Sequence, residues 1–129
     1  MENIYQSIIS YTSSLIFGKC NGCCVSLLDQ NGTQILFFKL GNPTPCSSTF
    51  STQKAFTAYS FSLNNDDVYK SLVEIGSQNL INNKFCFIPG GVVTTDKNQT
   101  PYFLGVSTEV PTLDKTLALE ISNLIKEEM

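Results

Sequence analysis

The 129-residue sequence contains no histidine and no tryptophan. Histidine is the side chain used most often for general acid–base catalysis, and it is also the commonest metal ligand. Any catalytic or metal-binding site in this chain must therefore be built from other groups. Nine phenylalanines and five tyrosines still supply large side chains for a hydrophobic core.

Charged residues are scarce as well, at 15% of the chain, and 11 acids against 8 bases give a net charge of −3. This composition lacks the positive field that neutralises phosphates, so we expect no nucleic-acid partner. The sequence has no apolar run near the roughly 18 residues of a membrane span, and its first residues lack the basic start of a signal peptide. We therefore expect a cytoplasmic protein that does not contact a membrane.

Five cysteines are an odd number and cannot all pair within one chain. Without an export signal, we expect them to be reduced thiols. Cys20 and Cys23 have the spacing of a zinc knuckle or a redox dithiol, and Cys24 adjoins them. A structural zinc needs four ligands, and the chain has no second close pair. We therefore predict buried or incidental thiols and no metal site, with a metal or redox role as the alternative.

The length and the absence of a linker predict a single domain over residues 1–129. Helical periodicity, the Asn31-Gly32 turn signal and the placement of glycine and proline divide the chain into elements. The predicted helices cover residues 2–17, 47–61, 65–75 and 111 onward, and the predicted strands cover 25–28, 35–40, 85–88, 92–95 and 101–106. Because the strands occur in groups, the pattern favours an α+β fold with an antiparallel sheet of about five strands flanked by helices.

Several stretches in this order carry a family resemblance. They are VSLLDQNG at 25–32, KAFTA at 54–58, IPGGV at 88–92 and LGVS at 104–107, followed by Pro111, Asp114 and Ala118. Together they resemble the GlcG/HbpS family, also called the haem-degrading domain and found as the C-terminal domain of PduO-type proteins. The resemblance implies a profilin-like α/β sandwich that forms homo-oligomers, either dimers or larger rings, and that binds haem or a corrinoid. A haem ligated by histidine is excluded by the composition.

Six residues form the predicted ligand-binding site. They are Lys54, Pro89, Gly90, Gly91, Ser107 and Asp114. Glycines at 90 and 91 allow close approach to the backbone and can present consecutive amides to an anion; the structural alternative is a bulge or turn that needs positive φ. Lys54 could bind a propionate or phosphate, or else a strand-end carbonyl or an acid of the fold.

The remaining candidates in this region have structural explanations beside the functional ones. Asp114 lies in the first turn of the last helix, where a negative charge is favourable without any ligand. Ser107 is a candidate hydrogen-bond donor, but no base is identifiable beside it, so we predict no catalytic residue. The five tyrosines, which could supply a phenolate ligand or an interface anchor or could simply pack, are Tyr5, Tyr11, Tyr59, Tyr69 and Tyr102.

These observations give three functional hypotheses. The first is an oligomeric cytosolic module that binds haem or another tetrapyrrole between the Gly90-Gly91 loop and the Lys54 helix. The second is an interaction scaffold that recruits a protein partner and has a vestigial pocket. The third, an accessory enzyme of haem or corrinoid metabolism, ranks last because no nucleophile–base pair can be assembled from the sequence.

Overall fold

Four α-helices and a four-stranded sheet form the part of the chain that the computed structural model describes, residues 3–80 and 82–129. The chain order of the elements is α1 (Ile4–Ile16), β1 (Gly22–Leu28), β2 (Gln34–Gly41), α2 (Ser47–Phe61), α3 (Asn65–Glu74), a 3₁₀ turn (Gln78–Leu80), β3 (Gly91–Thr95), β4 (Pro101–Thr108) and α4 (Pro111–Glu128). The predicted α+β class is confirmed, and no described helix is long and apolar enough to cross a membrane.

The sheet has the order β2-β1-β4-β3, and every neighbouring pair is antiparallel. β1 and β2 form the predicted hairpin, in which Asp29 Oδ1 accepts hydrogen bonds from the backbone N–H groups of Asn31 and Thr33. Gly32 has a φ of 80°, which a residue with a side chain rarely adopts. All seven residues of β1 are buried because helices cover both faces of this central strand.

The two faces of the sheet are covered differently. α1 and α4 cover one face, and the main core there contains Ile8, Val25, Leu27, Leu104, Val106, Leu117 and Ile121. α2 covers the other face, where Ala55 and Ala58 pack against Leu28 and Phe103. A Cβ on Gly105 would overlap the Ser51 carbonyl oxygen, so this glycine lets α2 approach β4 closely. The short residues of α2 thus bring its Lys54 directly over the sheet.

The sheet has four strands rather than about five, because residues 85–88 do not form a strand. The backbone N–H of Cys86 donates to Thr57 Oγ1 at 2.9 Å, and the carbonyls of Cys86 and Ile88 accept from Asn65 Nδ2 at 3.0 and 2.6 Å. Side chains of α2 and α3 therefore take the hydrogen bonds that a neighbouring strand would have supplied.

The start of α3 is fixed by two consecutive asparagines, Asn64 and Asn65. Asn64 is the N-cap residue, and Asn65 lies inside the helix with its side chain fully buried. The side-chain oxygens of Asn64 and Asn65 accept the backbone N–H groups of Val93 and Gly91, at 2.9 and 3.1 Å. Within residues 3–80 and 82–129 no strand lies beyond β3. The two asparagine side chains accept these N–H groups instead, and they hold α3 against β3.

Candidate functional site

Lys54 and Asp114, which are 60 positions apart in the sequence, form a buried ion pair. Lys54 Nζ donates to Asp114 Oδ2 at 2.7 Å and to the Val106 carbonyl at 2.9 Å. The exposed fractions of the two side chains are 1% and 2%. Asp114 Oδ1 accepts from both the backbone N–H and the hydroxyl of Thr108. The ammonium charge is thus neutralised inside the fold, at a strand-end carbonyl and an acid.

The bend formed by Pro89, Gly90 and Gly91 lies directly beside this ion pair. Gly90 has a φ of 130°, and a Cβ there would lie 2.6 Å from the Val106 carbonyl oxygen and 2.9 Å from Lys54 Nζ. At Gly91, a Cβ would meet the carbonyl of Lys54 and the side chain of Asn65. The space that these glycines leave is occupied by the protein's own atoms. The Gly91 N–H, a candidate anion donor, already donates to Asn65.

A small cleft of about 120 Å³ adjoins the ion pair on one side of the bend. Its lining includes Lys54, Ser107, Glu109 and Asp114. Small-molecule sites usually have volumes of roughly 300–1,000 Å³, so this cleft accommodates a small group rather than a macrocycle. Glu109 Oε1 is buried and has no hydrogen-bond partner among the described residues, and such an unpaired carboxylate oxygen opposes the entry of an anion.

A larger groove of about 450 Å³ is lined by Pro89 of the bend. We call it the α3 groove, and its lining consists of Asp66, Tyr69, Lys70, Phe87, Ile88 and Pro89. The rings of Tyr69 and Phe87 are 6.3 Å apart and tilted by 51°. Tyr69 is 47% exposed and Ile88 42% exposed, so these apolar walls are open to a ligand.

Of the two charged residues that line the α3 groove, only the acidic one forms an ion pair within the described part of the chain. Asp66 is paired with Lys115, whose Nζ lies 2.6 Å from Asp66 Oδ2. That hydrogen bond raises the pKa of Lys115. Lys70 has no ion-pair partner among residues 3–80 and 82–129. The groove therefore presents a free ammonium beside aromatic and aliphatic walls, which suits an apolar ligand that carries a carboxylate.

The six predicted site residues consequently lie in three places. Lys54, Ser107 and Asp114 line the small cleft, Gly90 and Gly91 are packed against the fold, and Pro89 lines the α3 groove. Lys70 and Phe87 were not predicted. Tyr69 was named only as one of five tyrosines. A signal for it was present, since a tyrosine stands next to Val68 and off the buried Val68–Leu72 stripe of a short amphipathic helix.

The cysteines do not form a metal centre in the described part of the chain, which contains no cluster of three or more ligating His, Cys, Asp or Glu residues. All five thiols are free, and Cys23 and Cys24 are buried. Burial, together with the neighbouring Cys20 and Cys24 thiols, raises the pKa of Cys23 to about 12. Cys23 is therefore a protonated, weakly nucleophilic thiol at neutral pH.

Several solved structures have a similar fold. Protein ORFY of Klebsiella pneumoniae, described as a DUF336 protein, has a TM-score of 0.81 with 17% identity, over 98% of this chain and 89% of its own. A double mutant of HbpS from Streptomyces reticuli has a TM-score of 0.77 with 19% identity, over 95% of this chain and 84% of its own. A PduOC:heme complex has a TM-score of 0.75 with 17% identity, over 95% of this chain and 89% of its own.

At these identities the structural likeness shows the fold alone, and the family assignment comes from the sequence. No curated protein matches the chain significantly. The family model described as haem degrading protein HbpS-like matches residues 8–121, which is most of the sequence. The chain therefore belongs to the HbpS-like family of haem-degrading proteins.

Proposed function

We propose that this chain is a cytoplasmic module that binds a tetrapyrrole such as haem and assembles with copies of itself. The observation that carries the proposal is the α3 groove, an open apolar site next to the Pro89–Gly91 bend with a free ammonium at its rim. Family membership and the fold shared with a haem complex support the choice of ligand class. A cytoplasmic location suits the free thiols, which stay reduced there.

The chemistry of the groove matches a planar apolar ring with acidic side chains. Phe87, Ile88 and Pro89 offer apolar contact to the ring, and aromatic faces stack on flat ligands. Lys70 can pair with a propionate at the rim. The small cleft offers neither the volume nor an unpaired cation, since Lys54 is bound to Asp114. A corrinoid is the alternative ligand of the same groove.

The residues present are compatible with iron in one respect. Without histidine, the phenol of Tyr69 is the group in the groove lining that would hold the iron, since tyrosine ligates haem iron in some proteins. A bound haem would supply redox and oxygen chemistry at this position. The chain itself supplies apolar walls, a charge for the propionates and exclusion of water from one face of the ring.

The other predicted site residues hold the bend in this proposal. The Lys54–Asp114 pair and the carbonyl of Val106 pack against Gly90, and Gly90 O accepts the Val106 N–H at 2.9 Å. Pro89 is thereby fixed at the wall of the groove. Ser107 lines the small cleft, so a substitution of Ser107 tests for binding in that cleft and not in the α3 groove.

The proposal is tested by titrating the purified protein with haemin and recording the Soret band. We expect saturable binding, a change in the iron spectrum with Tyr69→Phe, and affinity weaker by about tenfold with Lys70→Gln. Tyr102→Phe and Lys97→Gln are the matched controls, because neither residue lines the groove.

Two results would count against the groove. If the wild-type protein shows no saturable Soret shift with haemin, the haem proposal fails. If binding occurs but is weakened by Ser107→Ala and unaffected by changes at Tyr69 and Lys70, the ligand occupies the small cleft, as the sequence predicted. A titration with cob(II)alamin distinguishes a corrinoid from haem as the preferred ligand.

A further inference from the structure

The two edge strands of the sheet, β3 and β2, differ in whether other groups bind their outward backbone atoms. Along β3, the outward N–H groups of Gly91 and Val93 are bound by the side chains of Asn65 and Asn64, and α3 covers the edge. An exposed strand edge is a template for pairing with another chain, and natural proteins usually block it. The asparagine pair blocks the β3 edge in this way.

The opposite edge, along β2, is open in the described part of the chain. β2 pairs with β1 on one side, and alternate backbone groups of an antiparallel strand point to the other side. No described backbone or side-chain group binds these outward groups of β2. The eight-residue strand QILFFKLG has no proline and a single charge, at Lys39. It therefore lacks most of the features that protect natural edges.

Side chains next to this edge also leave room for a neighbour. Phe37 is 41% exposed, and a groove of about 400 Å³ lies between β2 and α2. α2 borders this space with the small hydroxyl side chains of Ser48, Thr49 and Thr52 and with Gln53, whose amide donates to the Asn83 carbonyl. Short side chains allow a second helix of the same kind to come near across the groove.

We propose that β2 pairs antiparallel with β2 of a second copy of this chain, so that the two sheets join into one of eight strands. A two-fold axis perpendicular to the sheet, centred on Phe37 or Phe38, places Lys39 opposite Ile35 or Phe37 of the other copy. Like charges are then not opposite each other, and the apolar centres of the two strands meet. The same axis puts both α2 helices on one face, with their hydroxyl side chains toward the interface.

This inference identifies the interface for the self-assembly that the proposed function includes. It does not depend on the ligand, because the β2 edge and the α3 groove share no lining residues. A second copy fits better than an acidic peptide or a nucleic acid, since one lysine gives the edge little charge to attract either.

The test combines sedimentation with hydrogen exchange of the full chain. Sedimentation velocity over a range of concentrations should show a dimer or a multiple of it. Phe37→Lys should weaken the dimer by about tenfold or more, because a buried aromatic contact is replaced by two facing charges. Phe17→Lys is the matched control, since Phe17 is 87% exposed and lies outside β2. Circular dichroism checks that both variants fold.

Hydrogen exchange of the wild-type chain keeps the test independent of how the variants fold. The amides of β2 should exchange more slowly as the concentration rises through the dimer transition, while those of β3 should not change. If the wild type is monomeric at every concentration, both the assembly and this interface are wrong. If it assembles but Phe37→Lys and β2 exchange have no effect, the interface is wrong and the proposed assembly stands. Haemin binding by Phe37→Lys should equal that of wild type.

Discussion

Replacing Lys54 with methionine is expected to destabilise the chain severely. Methionine keeps most of the volume of the lysine stem but removes the ammonium, which donates to Asp114 at 2.7 Å and to the Val106 carbonyl at 2.9 Å. Asp114 would be left without a counter-ion at 2% side-chain exposure. The two hydrogen bonds from Thr108 would offset only part of that loss.

The magnitude follows from how deeply the pair is buried. Breaking a buried ion pair by removing one partner costs about 3–5 kcal/mol, because the remaining charge stays desolvated. Exposed pairs contribute about 0–1 kcal/mol. Lys115 and Asp66 form such a pair, with the lysine side chain 42% exposed. Lys115→Met is therefore the matched control, and we expect it to lower the free energy of unfolding by no more than about 1 kcal/mol.

The assay is urea unfolding followed by far-UV circular dichroism, since the chain has no tryptophan for fluorescence. The double variant Lys54→Met with Asp114→Asn removes both charges but keeps a side-chain oxygen at position 114 that can accept from Thr108. It should be less destabilised than the sum of the two single variants by at least about 1 kcal/mol. The buried pair does not stabilise the fold if Lys54→Met lowers the free energy of unfolding as little as Lys115→Met does. The same conclusion follows if the effects of Lys54→Met and Asp114→Asn simply add.

Three further changes have expected effects on stability. Asn65→Leu leaves the Gly91 N–H and the carbonyls of Cys86 and Ile88 without their partner. Urea unfolding should therefore show a free energy of unfolding lower by about 3 kcal/mol or more. A decrease below about 1 kcal/mol would contradict this role of the Asn65 side chain. Gly90→Ala should lower the free energy of unfolding more than Gly76→Ala does in the same assay. Both glycines have positive φ, but a Cβ at Gly76 has no atom within 4 Å. Equal decreases would show that the atoms around Gly90 move away to accommodate the methyl group. The raised pKa of Cys23 means that the folded chain holds this proton more tightly than the unfolded chain, so stability is lost as pH rises from 9 toward 12, by about 2 kcal/mol at pH 10.5. Urea unfolding of Cys23→Ala and wild type over the same pH range separates this contribution from that of other groups. Identical dependence of the free energy of unfolding on pH in the two proteins would refute it.

Local patterns in the sequence were sufficient to locate the four helices and the four strands that form. The apolar spacing in residues 4–16 and 111–128 defines one face of each helix, and Asn31-Gly32 marks the hairpin because few other residues adopt its backbone conformation. These signals depend on neighbours within a few positions. They were also enough for the family resemblance, which the match over residues 8–121 confirms.

Packing between distant residues decided what local patterns could not. The hydrophobic run at 85–88 has the composition of a strand, but the side chains of Thr57 and Asn65 take its backbone hydrogen bonds. Lysine at position 54 is compatible with a free or a paired ammonium, and only the fold places Asp114 at 2.7 Å.

Long-range contacts also placed the predicted site residues in separate locations, namely the small cleft, the packed bend and the α3 groove. The sequence indicated the Pro89–Gly91 bend, but the α3 groove depends on how α3 lies against that bend, which Asn64 and Asn65 fix through hydrogen bonds to β3. The composition determined that any site here works without histidine. Which side of the bend is open, and which edge of the sheet is covered, depends on contacts between residues more than twenty positions apart, which periodicity and turn signals do not encode.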